Sequence, residues 1–328
     1  MHLSSTITGT GSYLPERVLT NHDLEAMVDT TDEWIIERTG IKERRIAADD
    51  QTTSDLACEA SKAALRSAGR QAQELDLIIV ATTTPDMLMP STACMLQAKL
   101  GASRAAAFDV SAACSGFLYA LAVANGMIRS GSHKRVLVVG AEVLSRFMDW
   151  QDRSTCVLFG DGAGAVLLEA SDDKNRGIMS VKLHADGKLW ELLHIPGGGS
   201  TEPISHKMIE DRLNFIKMRG NETFKVAVRA LESLVVDSLK ENGLKASDIA
   251  LLIPHQANIR IILATASRLG MPMDRVMLNL ERVGNTSAAS IPIAMDEAAK
   301  QGRISENDYI LLEAFGAGLT WASALIKW

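Results

Sequence analysis

Leu75–Thr82, LDLIIVAT, is an almost unbroken apolar run of strand length, the pattern of a strand covered on both faces of a parallel sheet. A second such run, RVLVVGA, spans Arg135–Ala141, and helical sequence separates the two. A shift of 174 residues brings the rhythm back: Leu77 falls on Leu251 in ALLIPHQAN, Ala81 on His255, and Val136 on Ile310 in DYILLEAFGAG. A shift of 171 puts Cys114 on Asn285. Apolar strands recurring in one order at one spacing predict an internal duplication of β/α units. The halves are expected to be 1–171 and 172–328, joined at the polar stretch EASDDKNRG.

Between the first two runs lies Phe108–Met127, FDVSAACSGFLYALAVANGM, a strand-like start that breaks among small residues into a helix apolar nearly all round. A break at Cys114 puts its sulfur at a helix N-terminus, where unpaired N–H groups and the helix dipole favour a thiolate. Small neighbours admit a carbonyl carbon to the sulfur and let main-chain amides face an oxyanion. Taken alone, a cysteine in an apolar run is more often core packing. The stretch Val110–Ile128 carries no charge and has nearly the length of a membrane span, but Ser111, Ser115, Gly116, Asn125 and Gly126 dilute it. A helix buried at the centre of a large fold is the better reading, and no membrane association is expected.

The chain has 328 residues, enough for a sizeable core, and a net charge of −6 with Lys and Arg scattered, which excludes a nucleic-acid footprint. Four cysteines, Cys58, Cys94, Cys114 and Cys156, form no C-x-x-C pair, and seven histidines form no H-E-x-x-H. Neither a disulfide framework nor a metal site is signalled, and a reducing cytoplasm is expected.

The opening STITGTGSYLPERVLTN reads as a strand, a glycine-rich turn and a Pro-closed loop, since G-T-G lacks the rest of a dinucleotide fingerprint. Short helices are expected over Asn21–Val28 and Asp32–Arg38, the latter placing Trp34 and Arg38 one turn apart, either to stack on a flat ligand or as an amphipathic surface helix with Trp34 tucked inward. Longer helices are expected over Thr53–Ser67 and Glu222–Leu239. Leu189–Lys217, irregular and glycine-rich, has the length of a cap over a site.

Ligands of doubled α/β sheets collect beyond the carboxyl ends of strands. Cys114, His255 and Asn285 all fall there in this reading. Singly, His255 is a structural histidine and Asn285 a turn residue; jointly, Cys, His and Asn suit acyl transfer.

The chain resembles the thiolase-like condensing enzymes, and among them the 3-oxoacyl-(acyl carrier protein) synthase III family. The resemblance rests on GTGSYLP, DEWIIERTGI, DVSAACSGF, DRSTCVLFGDGAGA, GNETFKVAV, PHQANIRI, GNTSAASIP and EAFGAGLTWASAL, spread over nearly the whole length. It implies an α/β/α/β/α sandwich and a two-step reaction initiating type II fatty acid synthesis. Cys114 accepts an acyl group from acyl-CoA; malonyl-acyl carrier protein then loses CO2, and its enolate attacks the acyl-enzyme to give a 3-oxoacyl thioester. His255 and Asn285 stabilise the enolate, and the N–H groups of Cys114 and Gly318 form an oxyanion hole. By the same resemblance Trp34 and Arg153 sandwich the adenine of CoA. Thr30, Arg38, Gly220, Phe224 and Asn258 line the pantetheine tunnel, and Lys225 and Arg260 receive the acidic carrier protein. Met89 and Cys156 border the acyl pocket, Met89 from across a homodimer interface. No cofactor is implied, acyl-CoA being a substrate.

The sequence departs from several relatives. No Cys follows Cys156, where thiolases need a second one; elongating synthases use two histidines; and Thr82, Thr83 and Thr84 stand where a 3-hydroxy-3-methylglutaryl-CoA synthase needs Glu. Polyketide and quinolone condensing enzymes share Cys-His-Asn and remain open, as does a non-catalytic carrier-protein-binding homologue. A papain-like hydrolase would not need the doubled chain. The primer acyl group is left open.

Overall fold

The structure, a computed structural model, describes residues 3–328. In the first half β1 (Ser4–Tyr13), β2 (Arg17–Thr20), α1 (Asn21–Glu25), α2 (Asp32–Thr39), β3 (Glu43–Ile46) and α3 (Thr53–Ala68) precede the strand around which the rest is arranged, β4 (Leu77–Ala81). Then come α4 (Thr92–Leu100), β5 (Ala106–Val110), α5 (Gly116–Arg129), β6 (Arg135–Glu142), α6 (Arg153–Cys156) and β7 (Gly162–Ser171). The second half holds β8 (Gly177–Ala185), β9 (Leu193–His194), α7 (His206–Glu210), β10 (Lys217–Met218), α8 (Gly220–Glu241) and β11 (Ile249–Pro254). It ends with α9 (Ile259–Leu269), α10 (Leu280–Val283), α11 (Ser290–Lys300), β12 (Tyr309–Gly316) and β13 (Thr320–Lys327).

The two large sheets repeat one order. The first runs β1-β7-β6-β4-β5 and the second β8-β13-β12-β11, with the central pairs β4·β6 and β11·β12 both parallel. Leu77 stands opposite Val136 and Leu251 opposite Ile310, so the 174-residue repeat read from the sequence is also the pairing register. Where β5 flanks β4, the second sheet keeps a single bridge, Leu252 to Val276. Parallel neighbours need a helical crossover, and these crossovers build the layers. Helix α3 packs on β1, β6 and β7; α5 and α11 lie between the sheets; α8 packs on β12 and β13. The result is the expected five-layer α/β/α/β/α sandwich. Its central core joins Ile79, Leu118 and Leu121 to Ile253, Met295 and Leu312, all buried. No helix among the described residues is long and apolar enough to cross a membrane.

Two expectations are corrected. Gly9 and Gly11 lie inside β1 and not in a turn, because α3 presses its backbone against them: a Cβ at Gly9 would stand 2.4 Å from the Ala64 carbonyl oxygen, and one at Gly11 2.2 Å from the Ala64 nitrogen. Cys114 does not correspond to Asn285. Ala113, with φ of +45°, and Ser287, with φ of +47°, open the same kind of tight turn before α5 and α11. These turns keep the 174-residue register, which sets Cys114 opposite Ala288.

Candidate active site

Strand β5 ends at Val110, and the positive φ at Ala113 turns the chain so that Cys114 heads the approach to α5. The return turn after β12 is laced to it: Ser115 Oγ donates to the Thr320 carbonyl at 3.1 Å, and Thr320 Oγ1 donates to the Ala112 carbonyl at 3.0 Å. Gly316, closing β12, lies so near that an added Cβ would sit 2.6 Å from the Cys114 nitrogen. This lacing brings the turn that holds Gly318 to the cysteine. Burial pushes the Cys114 thiol up to about 12; the Ser287 side chain works against this, and the nearby Glu142 carboxylate raises it further.

His255 follows Pro254 at the end of β11, its N–H donating to the Glu313 carbonyl at 2.8 Å. Its Nδ1 meets Ser290 Oγ at 2.6 Å, while Nε2 is buried without a partner among the described residues. The Gln256 N–H also reaches Ser290 Oγ, at 3.4 Å, and a Ser290 hydroxyl that donates to Nδ1 puts the ring proton on Nε2. Burial holds His255 down to about 3, so the ring is neutral. Asn285 is pinned by backbone bonds to Leu158 at 2.9 Å and Gly160 at 3.0 Å, and its Oδ1 accepts the Ser287 N–H at 2.8 Å. The amide nitrogen is the part left to donate.

All three side chains line one cavity of about 820 Å³. Phe315 and Gly316 share its inner end; Trp34, Arg38, Arg153, Gly220, Phe224 and Asn258 line the way out, and Lys225 and Arg260 border its mouth. Trp34 carries guanidinium groups from Arg38 and Arg153, 4.7 and 5.0 Å from its ring centre, and Arg260 lies 5.0 Å over Phe224. The slot expected between Trp34 and Arg153 is thus closed here, with Arg153 on the indole. Thr30 is not part of the lining; its hydroxyl is buried without a partner among the described residues.

A second cavity of about 240 Å³ opens from Cys114 and is walled by Leu144, Phe159, Leu193, Ile195 and Ile216. Three of these come from the segment expected to be a cap. Cys156 does not border it: the side chain is fully buried beside Val157 and Leu280, where the short helix α6 packs it into a separate core. Met89 is 81% exposed and does not reach the cavity within its own chain.

Sequence reasoning missed Ser287, Ser290, Glu142 and Glu313. The acids carried a signal, since each interrupts an apolar strand: RVLVVGAE and YILLEAF. Both are buried. Thr82, Thr83 and Thr84 prove to be the residues that hold the Glu142 carboxyl.

The family models for the N- and C-terminal parts of 3-oxoacyl-(acyl-carrier-protein) synthase III match residues 108–187 and 239–328. A β-ketoacyl-(acyl-carrier-protein) synthase III from Xanthomonas campestris is 57% identical, over 99% of this chain and 98% of its own. The chain belongs to the 3-oxoacyl-(acyl-carrier-protein) synthase III family. The crystal structure of the Aquifex aeolicus synthase III superposes with a TM-score of 0.92 at 52% identity, over 99% of this chain and 100% of that one. The priming β-ketosynthase of a polyketide pathway also reaches 0.92, at 36% identity over 99% of this chain and 96% of its own. The thiolase-like fold and the place among acyltransferases that initiate fatty acid synthesis therefore hold for this chain.

Proposed function

We propose that Cys114 takes an acyl group from acyl-CoA and that the acyl-enzyme then condenses with malonyl-acyl carrier protein, giving 3-oxoacyl-acyl carrier protein, CoA and CO2. The observation that carries this reading is the single cavity joining the Cys114 thiol to the unpartnered Nε2 of His255 and the free amide of Asn285. The pantetheine arm would occupy that cavity and the acyl chain the smaller apolar one. Attack by sulfur on the thioester carbon raises negative charge on its oxygen, which the N–H groups of Cys114 and Gly318 would receive. In the second step the malonyl carboxylate leaves as CO2, and the electron pair it leaves behind delocalises onto the thioester oxygen. His255 Nε2–H and the Asn285 amide would donate to that oxygen. A neutral ring suits this role, because it stabilises the enolate without giving its proton away.

Trp34, Arg38 and Arg153 would hold the nucleotide end of CoA, with Arg153 swinging off the indole to admit the adenine; Lys225 and Arg260 would meet the acidic carrier protein. A homodimer is supported by the exposed run Met87, Leu88 and Met89, the last two 85% and 81% exposed, beside the open edge strand β5. Met89 would then complete the partner's acyl pocket. The division of the chain near Ser171 is supported by β7 ending there and the next sheet beginning at Gly177. A cytoplasmic site of action fits the free thiols. The reading is tested by supplying acyl-CoA and malonyl-acyl carrier protein and following CO2 and 3-oxoacyl product. His255→Ala and Asn285→Ala should block CO2 release while still permitting acylation; CO2 release at the wild-type rate in both would refute their assigned role.

A further inference from the structure

Decarboxylative condensation consumes a proton. The malonyl carboxylate leaves as neutral CO2, and the Cys114 sulfur is expelled with the electron pair of its C–S bond. Burial pushes that thiol up to about 12, so the sulfur is a poor leaving group unless a proton reaches it. His255, held neutral by burial, keeps its own proton as the enolate's donor. The pantetheine arm fills the cavity that opens to solvent at that moment, so the proton needs another way in.

A polar row crosses the layer between the second sheet and α8. Leu312, Ala314, Ala322, Ala324 and Val181 pack into the central core, so the residues alternating with them, Glu313, Ser323 and Lys182, face the other way, toward α8 and α9. Glu313 stands opposite Ser323 across β12 and β13, and Ser323 opposite Lys182 across β13 and β8. Cross-strand partners on one face lie about 5 Å apart at Cβ, a gap that polar side chains or one water span. Lys182 Nζ meets Glu241 Oε1 of α8 at 2.5 Å, and the Glu241 side chain is 66% exposed, so the row ends at solvent. At its inner end Glu313 lines the large cavity together with Cys114 and His255. Both its carboxyl oxygens, and Ser323 Oγ, are buried without a partner among the described residues. The buried residues of α8 and α9 are apolar except Ser238 and Thr265, whose hydroxyls are unpartnered too. Lys182 and Glu241 are thus the charges of this layer, beyond Ser323 from Glu313, and His255 is neutral. Burial raises Glu313 to about 8, which leaves it a carboxylic acid with a proton to give near neutral pH.

We propose that Glu313 supplies the proton consumed in condensation and is reloaded from solvent along Ser323 and the Lys182–Glu241 pair. The proposal rests on the condensation reading of this site. As the enolate carbon bonds to the acyl carbon, the C–S bond to Cys114 breaks, and the sulfur takes the Glu313 proton across the cavity they share. The carboxylate left behind takes a proton from the Ser323 hydroxyl, Ser323 takes one from Lys182, and Lys182 regains one from solvent beside Glu241. One proton enters for each CO2 lost.

Acylation only moves the thiol proton from Cys114 to CoA, so the two half-reactions separate the proposal from a structural role. Acyl-enzyme freed of excess acyl-CoA is mixed with malonyl-acyl carrier protein by rapid quench, product is timed between pH 6 and 9, and acylation is timed beside it. The ratio of condensation rate to acylation rate should fall about tenfold or more in Glu313→Gln, and about threefold or more in Ser323→Ala. Wild-type condensation should slow as pH rises through about 8, where Glu313 loses its proton, and Glu313→Gln should lack that fall. An unchanged ratio in either variant, or the same high-pH fall in Glu313→Gln, overturns the proposal. If Glu313→Gln does not fold, the Ser323→Ala ratio and the wild-type profile decide, and a wild-type ratio or a flat profile overturns it. A wild-type acyl-enzyme that yields no product, or none that forms, is a different result, which overturns the proposed function along with this inference.

Discussion

Replacing His255 by Gln should remove a specific part of the protein's acid sensitivity. The native ring resists protonation until about pH 3, whereas in the unfolded chain it titrates near its ordinary 6.5. Between these values the unfolded state binds more protons, so stability is lost as pH falls through that window. Each unit of separation is worth about 1.4 kcal/mol. Lowering pH from 6 to 4 should therefore cost the wild type about 2–3 kcal/mol more than His255→Gln. Glu313 works in the opposite sense: burial raises it to about 8 from 4.5, so its contribution is lost as pH rises between those values. Its effect is common to both proteins and drops out of the difference. Denaturant unfolding of each protein at pH 4, 5, 6 and 7 measures the comparison. Parallel stability curves would refute the buried neutral imidazole, and with it the donor role assigned to Nε2.

Gly316→Ala should leave the fold standing but cut acylation by roughly a hundredfold, since the new methyl must displace the Cys114 backbone; rapid-quench acylation alongside a thermal melt separates the two effects. Trp34→Ala removes the platform for two guanidinium groups and should raise KM for acyl-CoA about tenfold with little change in kcat, each stacking contact being worth about 0.5–2 kcal/mol. Lys225→Glu with Arg260→Glu should lower kcat/KM for malonyl-acyl carrier protein and flatten its salt dependence while sparing acyl-CoA. Steady-state kinetics at two ionic strengths decide that point.

The buried parallel strands were legible because a strand covered on both faces is apolar along most of its length, so β4, β6, β11 and β12 announce themselves. Cys114 and His255 could be singled out because each stands where an apolar strand gives way to a turn, whereas Asn285 follows no strand but the short helix α10, and only its GNTS turn marked it. The glycines of β1 were misread because glycine marks both turns and close helix contacts, and only the packing of α3 distinguishes them. Cys156 was expected at the acyl pocket from the resemblance; on the short helix α6 its side chain turns into the core beside Val157 and Leu280, while Arg153 and Ser154 face the large cavity. Glu142 and Glu313 were passed over because acids in strands suggest exposure, and the residue that holds Glu142, Thr84, lies far from it along the chain.

The account depends most on Cys114 being the acyl acceptor. Intact-protein mass after incubation with equimolar acetyl-, butyryl-, isobutyryl- and octanoyl-CoA, beside Cys114→Ser, tests this directly. One dominant adduct on the wild type and none on the variant is the predicted result, and the mass gained identifies the primer. No adduct with any of the four, or an adduct that survives in Cys114→Ser, would contradict the account.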